Sequence, residues 1–153
     1  MNKIQKMSKQ AIVAAIYVAL CMINPFSFGA LQFRIANLLV ALPLIKKDYS
    51  VGVLLGIAIA NMFSTLGVFD VVFGLVAEGT AYAVVVYGAG KNLPFFIKSI
   101  IVSFCVSVVI GFELNFACNA PFFVASAGLF VTTEVSIVLG YYIFAKTPMK
   151  KIV

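Results

Sequence analysis

Five residues carry nearly all the chemistry that the apolar part of this chain can do: one arginine, Arg34, and four acids, Asp70, Glu78, Glu113 and Glu134. Hydrocarbon offers an ionisable group no partner, so such residues face a protein interior, a cavity or one another. Four acids against one guanidinium make a set rich in acceptors. A cavity built from them favours a cation, or a ligand rich in N–H donors. The amides of Gln32, Asn61 and Asn115 can both donate and accept, and their positions at the ends of apolar segments place them beside the same set. Structural roles compete with this reading, since a buried acid can also hold helices together by hydrogen bonds.

What is missing narrows the chemistry further. The chain has no histidine, and Cys21, Cys105 and Cys118 lie in apolar segments without C-x-x-C spacing. Zinc, haem and Ser-His or Cys-His catalysis therefore lack their raw material. No cofactor is expected, and an enzyme is disfavoured because the acids have no nucleophile or metal set beside them. Nor is there a G-x-x-x-x-G-K-[ST] phosphate loop, so uphill transport would draw on a partner ATPase or an ion gradient.

The elements that position these residues follow from composition. The sequence is 63% hydrophobic and 10% charged, with a mean hydropathy of +1.13. These values exclude an ordinary soluble domain, where about 25% of residues are charged. Charges, prolines and glycines divide the chain into six apolar segments, at about 8–23, 32–45, 49–66, 68–87, 94–114 and 121–144. The expected fold is all-α: a single membrane domain over 1–153 with six transmembrane helices. The second segment is short for the ~30 Å of a bilayer core. Lys3, Lys6 and Lys9 before an apolar stretch could pass for a secretory signal, but the segment reads as a retained first span.

With six spans, Lys3, Lys6, Lys9, Lys46, Lys47, Lys91, Lys146, Lys150 and Lys151 all fall on one side, and Lys98 can snorkel to it. The net charge of +6 is thus a topology signal, not a nucleic-acid footprint, and it places both termini in the cytoplasm. The opposite ends of the spans then collect Gln32, Arg34, Asn61, Asp70, Glu113 and Asn115. Asp70 and Glu78, eight residues apart, share one helix face with Gly74 and Tyr82. On the first segment Ala11, Ala15 and Ala19 recur every fourth residue, a flat stripe that another helix can approach closely.

Ordered blocks along the chain resemble the QueT family. They are Asn24-Pro25-Phe26, Gln32-Phe33-Arg34, Leu42-Pro43, Ala60-Asn61-Met62-Phe63-Ser64, Asp70-Val71-Val72-Phe73-Gly74, Gly111-Phe112-Glu113-Leu114, Pro121-Phe122, and Glu134 before Gly140-Tyr141. The resemblance runs from about 11 to 144. It departs at Asn37, where the family pattern carries a glutamate, and at Glu78, where it carries a small or hydroxyl residue.

This resemblance implies an S component of an energy-coupling factor (ECF) importer in a bacterial plasma membrane. It further implies a queuosine precursor, a 7-deazaguanine base, as substrate, with a transmembrane T subunit and two ATPases as partners. The alanine stripe would then dock on the T subunit. In such a pocket Glu113 or Glu134 would accept the N1–H and amine edge of the base. Gln32, Asn61, Asn115 or Arg34 would meet its acceptors, and Phe26, Phe63, Phe116 or Tyr82 would stack on its ring. Asp70 or a second glutamate would pair with the ammonium of the 7-aminomethyl form, and 25–31 would serve as a lid. Two alternatives stay open from the residues alone: an S component for another vitamin or nucleobase, and a small proton-coupled transporter of cationic compounds.

Overall fold

The computed structural model describes residues 3–24 and 34–146. Phe26, Gln32 and the expected lid at 25–31 lie outside the described residues. Within them every regular element is helical. Helix α1 spans Lys3–Ile23. A 3₁₀ stretch, Ile35–Val40, runs directly into the short α2, Ala41–Ile45. After a 3₁₀ turn at Lys47–Tyr49 come α3, Ser50–Asn61, and α4, Val68–Tyr82, whose end widens into a π turn at Ala83–Tyr87. Helices α5, Phe95–Cys118, and α6, Phe122–Lys146, complete the fold.

Four of these are long and apolar enough to cross a membrane: Lys3–Ile23, Val68–Tyr87, Phe95–Cys118 and Phe122–Ala145, of 20 to 24 residues. At 1.5 Å per residue, 20 residues rise about 30 Å. The regions expected at 32–45 and 49–66 hold shorter helices, Ile35–Ile45 and Ser50–Asn61. Polar residues explain the second shortfall. At its end Asn61, Ser64 and Asp70 bond to one another, and the chain turns at Gly67, whose φ of 55° suits glycine. Helix α5 runs one turn beyond its expected end. It stops at Asn119 in the left-handed conformation (φ 53°), where the Asn115 side chain donates to the Ala120 carbonyl at 2.8 Å.

Polarity is distributed inside out relative to a soluble protein. Large apolar side chains face outward, Phe104, Phe116, Phe123 and Val124 among them. Buried positions include Arg34, Asn37, Asn61, Asp70, Glu78 and Glu113. Hydrocarbon solvates the first group, and only the protein can solvate the second. This is a multi-pass membrane protein.

Missing Cβ atoms allow the helices to approach. A Cβ at Gly52 would meet the Gln10 backbone at 2.7 Å, and one at Gly56 would meet Tyr17 at 2.7 Å, so α3 lies flush on α1. Gly140 of α6 is pressed against the Leu38 carbonyl, and Gly111 of α5 against Ser126 of α6. Lys6 clamps the end of α1 to Asp48 at 2.5 Å, while Gln10 donates to the Asp48 carbonyl at 2.8 Å.

Candidate functional site

Helix α4 supplies the spine of the site. Asp70, Gly74, Glu78 and Tyr82 recur every fourth residue on its buried face. Facing them are Val106, Ile110 and Glu113 of α5, Leu129 and Thr133 of α6, Ile57 of α3 and Tyr17 of α1. Arg34 and Asn37 arrive on the 3₁₀ stretch, which brings the chain into the bundle beside α1 and α6. Between them lies a cavity of about 30 Å³, lined by groups from each of these elements. That volume holds roughly two water molecules.

The polar groups form two layers. Nearer the α3–α4 turn, Arg34 Nη1 donates to Asn61 Oδ1 at 2.7 Å, and Asn61 Nδ2 donates to the Asp70 carbonyl at 2.7 Å. The Ser64 hydroxyl donates to Asp70 Oδ2. This chain of donors fixes the guanidinium from one side. Glu113, 1% exposed, faces Asp70 across the α4–α5 interface. In the deeper layer the Tyr17 hydroxyl donates to Asn37 Oδ1 at 3.2 Å, and Glu78 faces Tyr82 one turn along α4. The Arg34 charge acts on both layers, reaching Glu78, Glu113 and Tyr17.

Buried polar atoms without a partner gather in one part of the bundle. Among the described residues six buried side-chain atoms have no hydrogen-bond partner. Five lie along this axis: Asp70 Oδ1, Glu78 Oε2, the Tyr82 hydroxyl and both oxygens of Glu113. A buried polar atom left without a partner costs about 1–3 kcal/mol of desolvation; the Tyr82 hydroxyl lies beside Glu78 and can donate to it, so the unmet demand for donors centres on the neighbouring acids Asp70 and Glu113. A ligand presenting N–H groups or a positive charge meets that demand. Among the described residues no cluster of His, Cys, Asp or Glu could hold a metal ion.

The sequence-derived candidates separate accordingly. Arg34 and Glu78 line the cavity, and Asn61, Asp70 and Glu113 form its upper layer. Glu134 lies elsewhere: its two oxygens accept from Ser99 and Ser103 of α5, each at 2.8 Å. Asn115 is exposed and closes the α5–α6 turn, as described above. Phe63 and Phe116 are exposed, while Tyr82 is buried. Ala11, Ala15 and Ala19 are exposed along one side of α1, opposite the buried stripe of Val13, Ala14, Tyr17 and Cys21.

Three cavity residues escaped the reading as contributors. Tyr17 is the one hydroxyl on the buried stripe of α1, at helical spacing from Val13 and Cys21, and that spacing could have found it. Asn37 stands out in the sequence only as a departure from the family pattern. Thr133 was overshadowed by Glu134, its neighbour, although one residue turns a helix by 100° and sends the two to different faces.

Comparison with known proteins agrees with this architecture. The family model described as QueT transporter matches residues 7–147. The queuosine precursor transporter QueT of Lactococcus lactis subsp. cremoris (strain MG1363) is 30% identical over 149 residues, covering 89% of this chain and 88% of that protein. No solved structure matches at a significant level. With a buried, acceptor-rich cavity among membrane helices and a family match that spans all of them, the chain belongs to the QueT transporter family.

Proposed function

We propose that this protein is the substrate-binding S component of an ECF importer that takes up a queuosine precursor across the bacterial plasma membrane. Its substrate in this reading is a 7-deazaguanine base, with the 7-aminomethyl form favoured. The carrying observation is the line of buried acids from Asp70 and Glu113 down to Glu78, each with at least one oxygen short of a donor, with a single guanidinium beside them. Relatedness to a queuosine precursor transporter supports the class of substrate.

Each part of the base has a matching group. Glu113 accepts the N1–H and amine edge as a bidentate pair, a geometry in which one carboxyl satisfies both of its orphan oxygens. Arg34 and Asn61 stand where they can donate to the ring acceptors. An ammonium on the 7-substituent pairs with Glu78 or Asp70, which the neutral nitrile form leaves unpaired. Tyr82 and Tyr17 flank the deeper layer with aromatic rings. Because the cavity holds only about 30 Å³, admitting a two-ring base requires the apolar walls at Ile57, Ile110 and Leu129 to part. Gln32 and Phe26 precede Arg34 in the chain, and we keep them as ligand contacts. Glu134 and Asn115 retain a supporting role only, one at the α5–α6 interface and the other at its turn.

The topology belongs to the same proposal: six spans, both termini cytoplasmic, with Ile35–Ile45 and Ser50–Asn61 as the two short ones. The exposed Ala11, Ala15 and Ala19 stripe docks on a transmembrane T subunit, and two ATPases supply the energy. The protein is a carrier, not an enzyme.

Calorimetric titration of the purified protein with the aminomethyl and nitrile deazaguanines, with guanine as control, tests the substrate. The expected order of affinity is aminomethyl, then nitrile, then guanine. Equal affinity for all three, or none for any, would discard the deazaguanine assignment.

A further inference from the structure

A second cavity, at the lysine-bearing end of the bundle, is separate from the site above. It lies where the end of α2, the π turn of α4 and the start of α5 meet, and its volume is about 330 Å³. Lys47, Lys91 and Lys98 line it together with Asn92, and the buried Leu44 and Val86 form its inner wall. Pockets that hold small molecules begin at about 300 Å³.

Three ammonium groups around one hollow repel one another unless an anion sits among them. No acid lines this cavity. Asp48, next in sequence to Lys47, is engaged by Lys6 at 2.5 Å, and Glu134, on the neighbouring α6, is engaged by Ser99 and Ser103. Lys98 is also held in place: its ammonium donates to the Lys91 carbonyl at 2.7 Å, tying the first turn of α5 to the α4–α5 loop. The Tyr87 hydroxyl donates to the Lys47 carbonyl at 3.2 Å, tying the end of α4 to the segment after α2. The start of α5 adds the positive end of a 24-residue helix with no side-chain cap. Hence the cations are gathered by the fold from two separate parts of the sequence, 47 and 91–98.

We propose that this cavity binds the phosphate headgroup of an anionic phospholipid. A lipid fits both halves of the lining. Its phosphate meets Lys47, Lys91 and Lys98, while its glycerol and upper acyl carbons lie on Leu44 and Val86 and continue along the exposed apolar faces of α4 and α5. A soluble phosphate would use only the first half. These lysines gather at one end of the bundle, where the apolar spans stop and the headgroup layer of a bilayer begins. A bound lipid would bridge α2, α4 and α5, and so fix the end of the bundle opposite the α3–α4 turn.

Native mass spectrometry of the purified protein in detergent tests this, with phosphatidylglycerol and phosphatidylcholine as competing probes. The expected result is one phosphatidylglycerol retained with at least tenfold preference, reduced to less than twofold in Lys47→Gln/Lys91→Gln/Lys98→Gln. The matching triple arginine variant keeps the preference and guards against misfolding in the glutamine variant. Lys3→Gln/Lys9→Gln keeps it too, although it removes as much charge as two of the three changes. Loss of preference in that control would mean diffuse attraction and overturn the site. Displacement of the lipid by millimolar glycerol phosphate or inorganic phosphate would make it a soluble-anion site and overturn the lipid assignment. Equal retention of both lipids by the unaltered protein would overturn it as well, leaving an acidic segment of a partner subunit as the occupant to pursue.

Discussion

Glu113 and Glu134 are both acids on the same packed pair of helices, and the fold treats them in opposite ways. Glu134 has a serine hydroxyl for each oxygen, both from α5. Glu113 has no hydroxyl or amide for either and only another acid, Asp70, beside it, although it is the more deeply buried of the two. A satisfied acid holds two helices together and has little left to offer a ligand. An unsatisfied one destabilises the empty protein and is stabilised only when a donor arrives. Ligand sites in a membrane interior are recognised by this unmet demand more than by the presence of charge.

The comparison breaks most readily at Glu113. Glu113→Gln should weaken binding of the aminomethyl deazaguanine by roughly ten- to a hundredfold, since a hydrogen bond to a charged group contributes about 1.5–3 kcal/mol. Its thermal stability in detergent should not fall. Calorimetry and a melting curve on one preparation check both halves. A stable variant with unchanged affinity would remove Glu113 from the site.

Gly74→Ala comes next. A Cβ there would collide with the Asn61 amide, so Asn61 would release either Arg34 or the Asp70 carbonyl. About a tenfold loss of affinity is expected, equivalent to about 1.4 kcal/mol, and Gly79→Ala on the same helix should be silent because nothing lies within 4 Å of its Cβ position. The two measured side by side separate a local clash from a general effect of added bulk.

Glu134→Ala should show the reverse of Glu113→Gln. Ser103 would lose its acceptor while Ser99 keeps the Phe96 carbonyl at 2.9 Å, which should lower stability by about 1 kcal/mol, with affinity within twofold of the original. A large loss of affinity at retained stability would return Glu134 to the binding site.

The smallest effect belongs to the Lys6–Asp48 clamp. Lys6 beside Asp48 holds its carboxyl below the usual carboxylate range, helped by the nearby Lys46 and Lys47. A lowered value in the folded protein means the clamp contributes fully above the carboxylate's ordinary range and is lost as the pH falls through the lowered value. Exposed pairs of this kind contribute little. Melting curves of the protein and of Asp48→Asn should therefore differ slightly at neutral pH and converge in acid.

Much of this was legible in the residues. The apolar segments, the buried face of α4 bearing Asp70, Gly74, Glu78 and Tyr82, and the inward placement of Arg34 and Asn61 all follow from periodicity and from the cost of charge in hydrocarbon. The boundaries of the fourth and sixth segments agree with the apolar spans Val68–Tyr87 and Phe122–Ala145 to within a residue or two. Positions on α5 and α6 were not legible, because helices apolar on every side carry no stripe to orient them. Reading could not choose between Glu113 and Glu134, nor see that Thr133 and not Glu134 turns toward the cavity.

By itself, then, the sequence determined the solvent and the cast: a chain too apolar for water, and a handful of polar residues too expensive to be idle in lipid. Only tertiary structure decided which of them meet. Whether a buried acid is paired depends on what a neighbouring helix brings within about 3 Å, and α5 brought two serines to Glu134 while α4 brought Glu113 only another acid, Asp70. The same holds for Lys47, Lys91 and Lys98, scattered by sequence and gathered around one hollow by the packing of α2, α4 and α5.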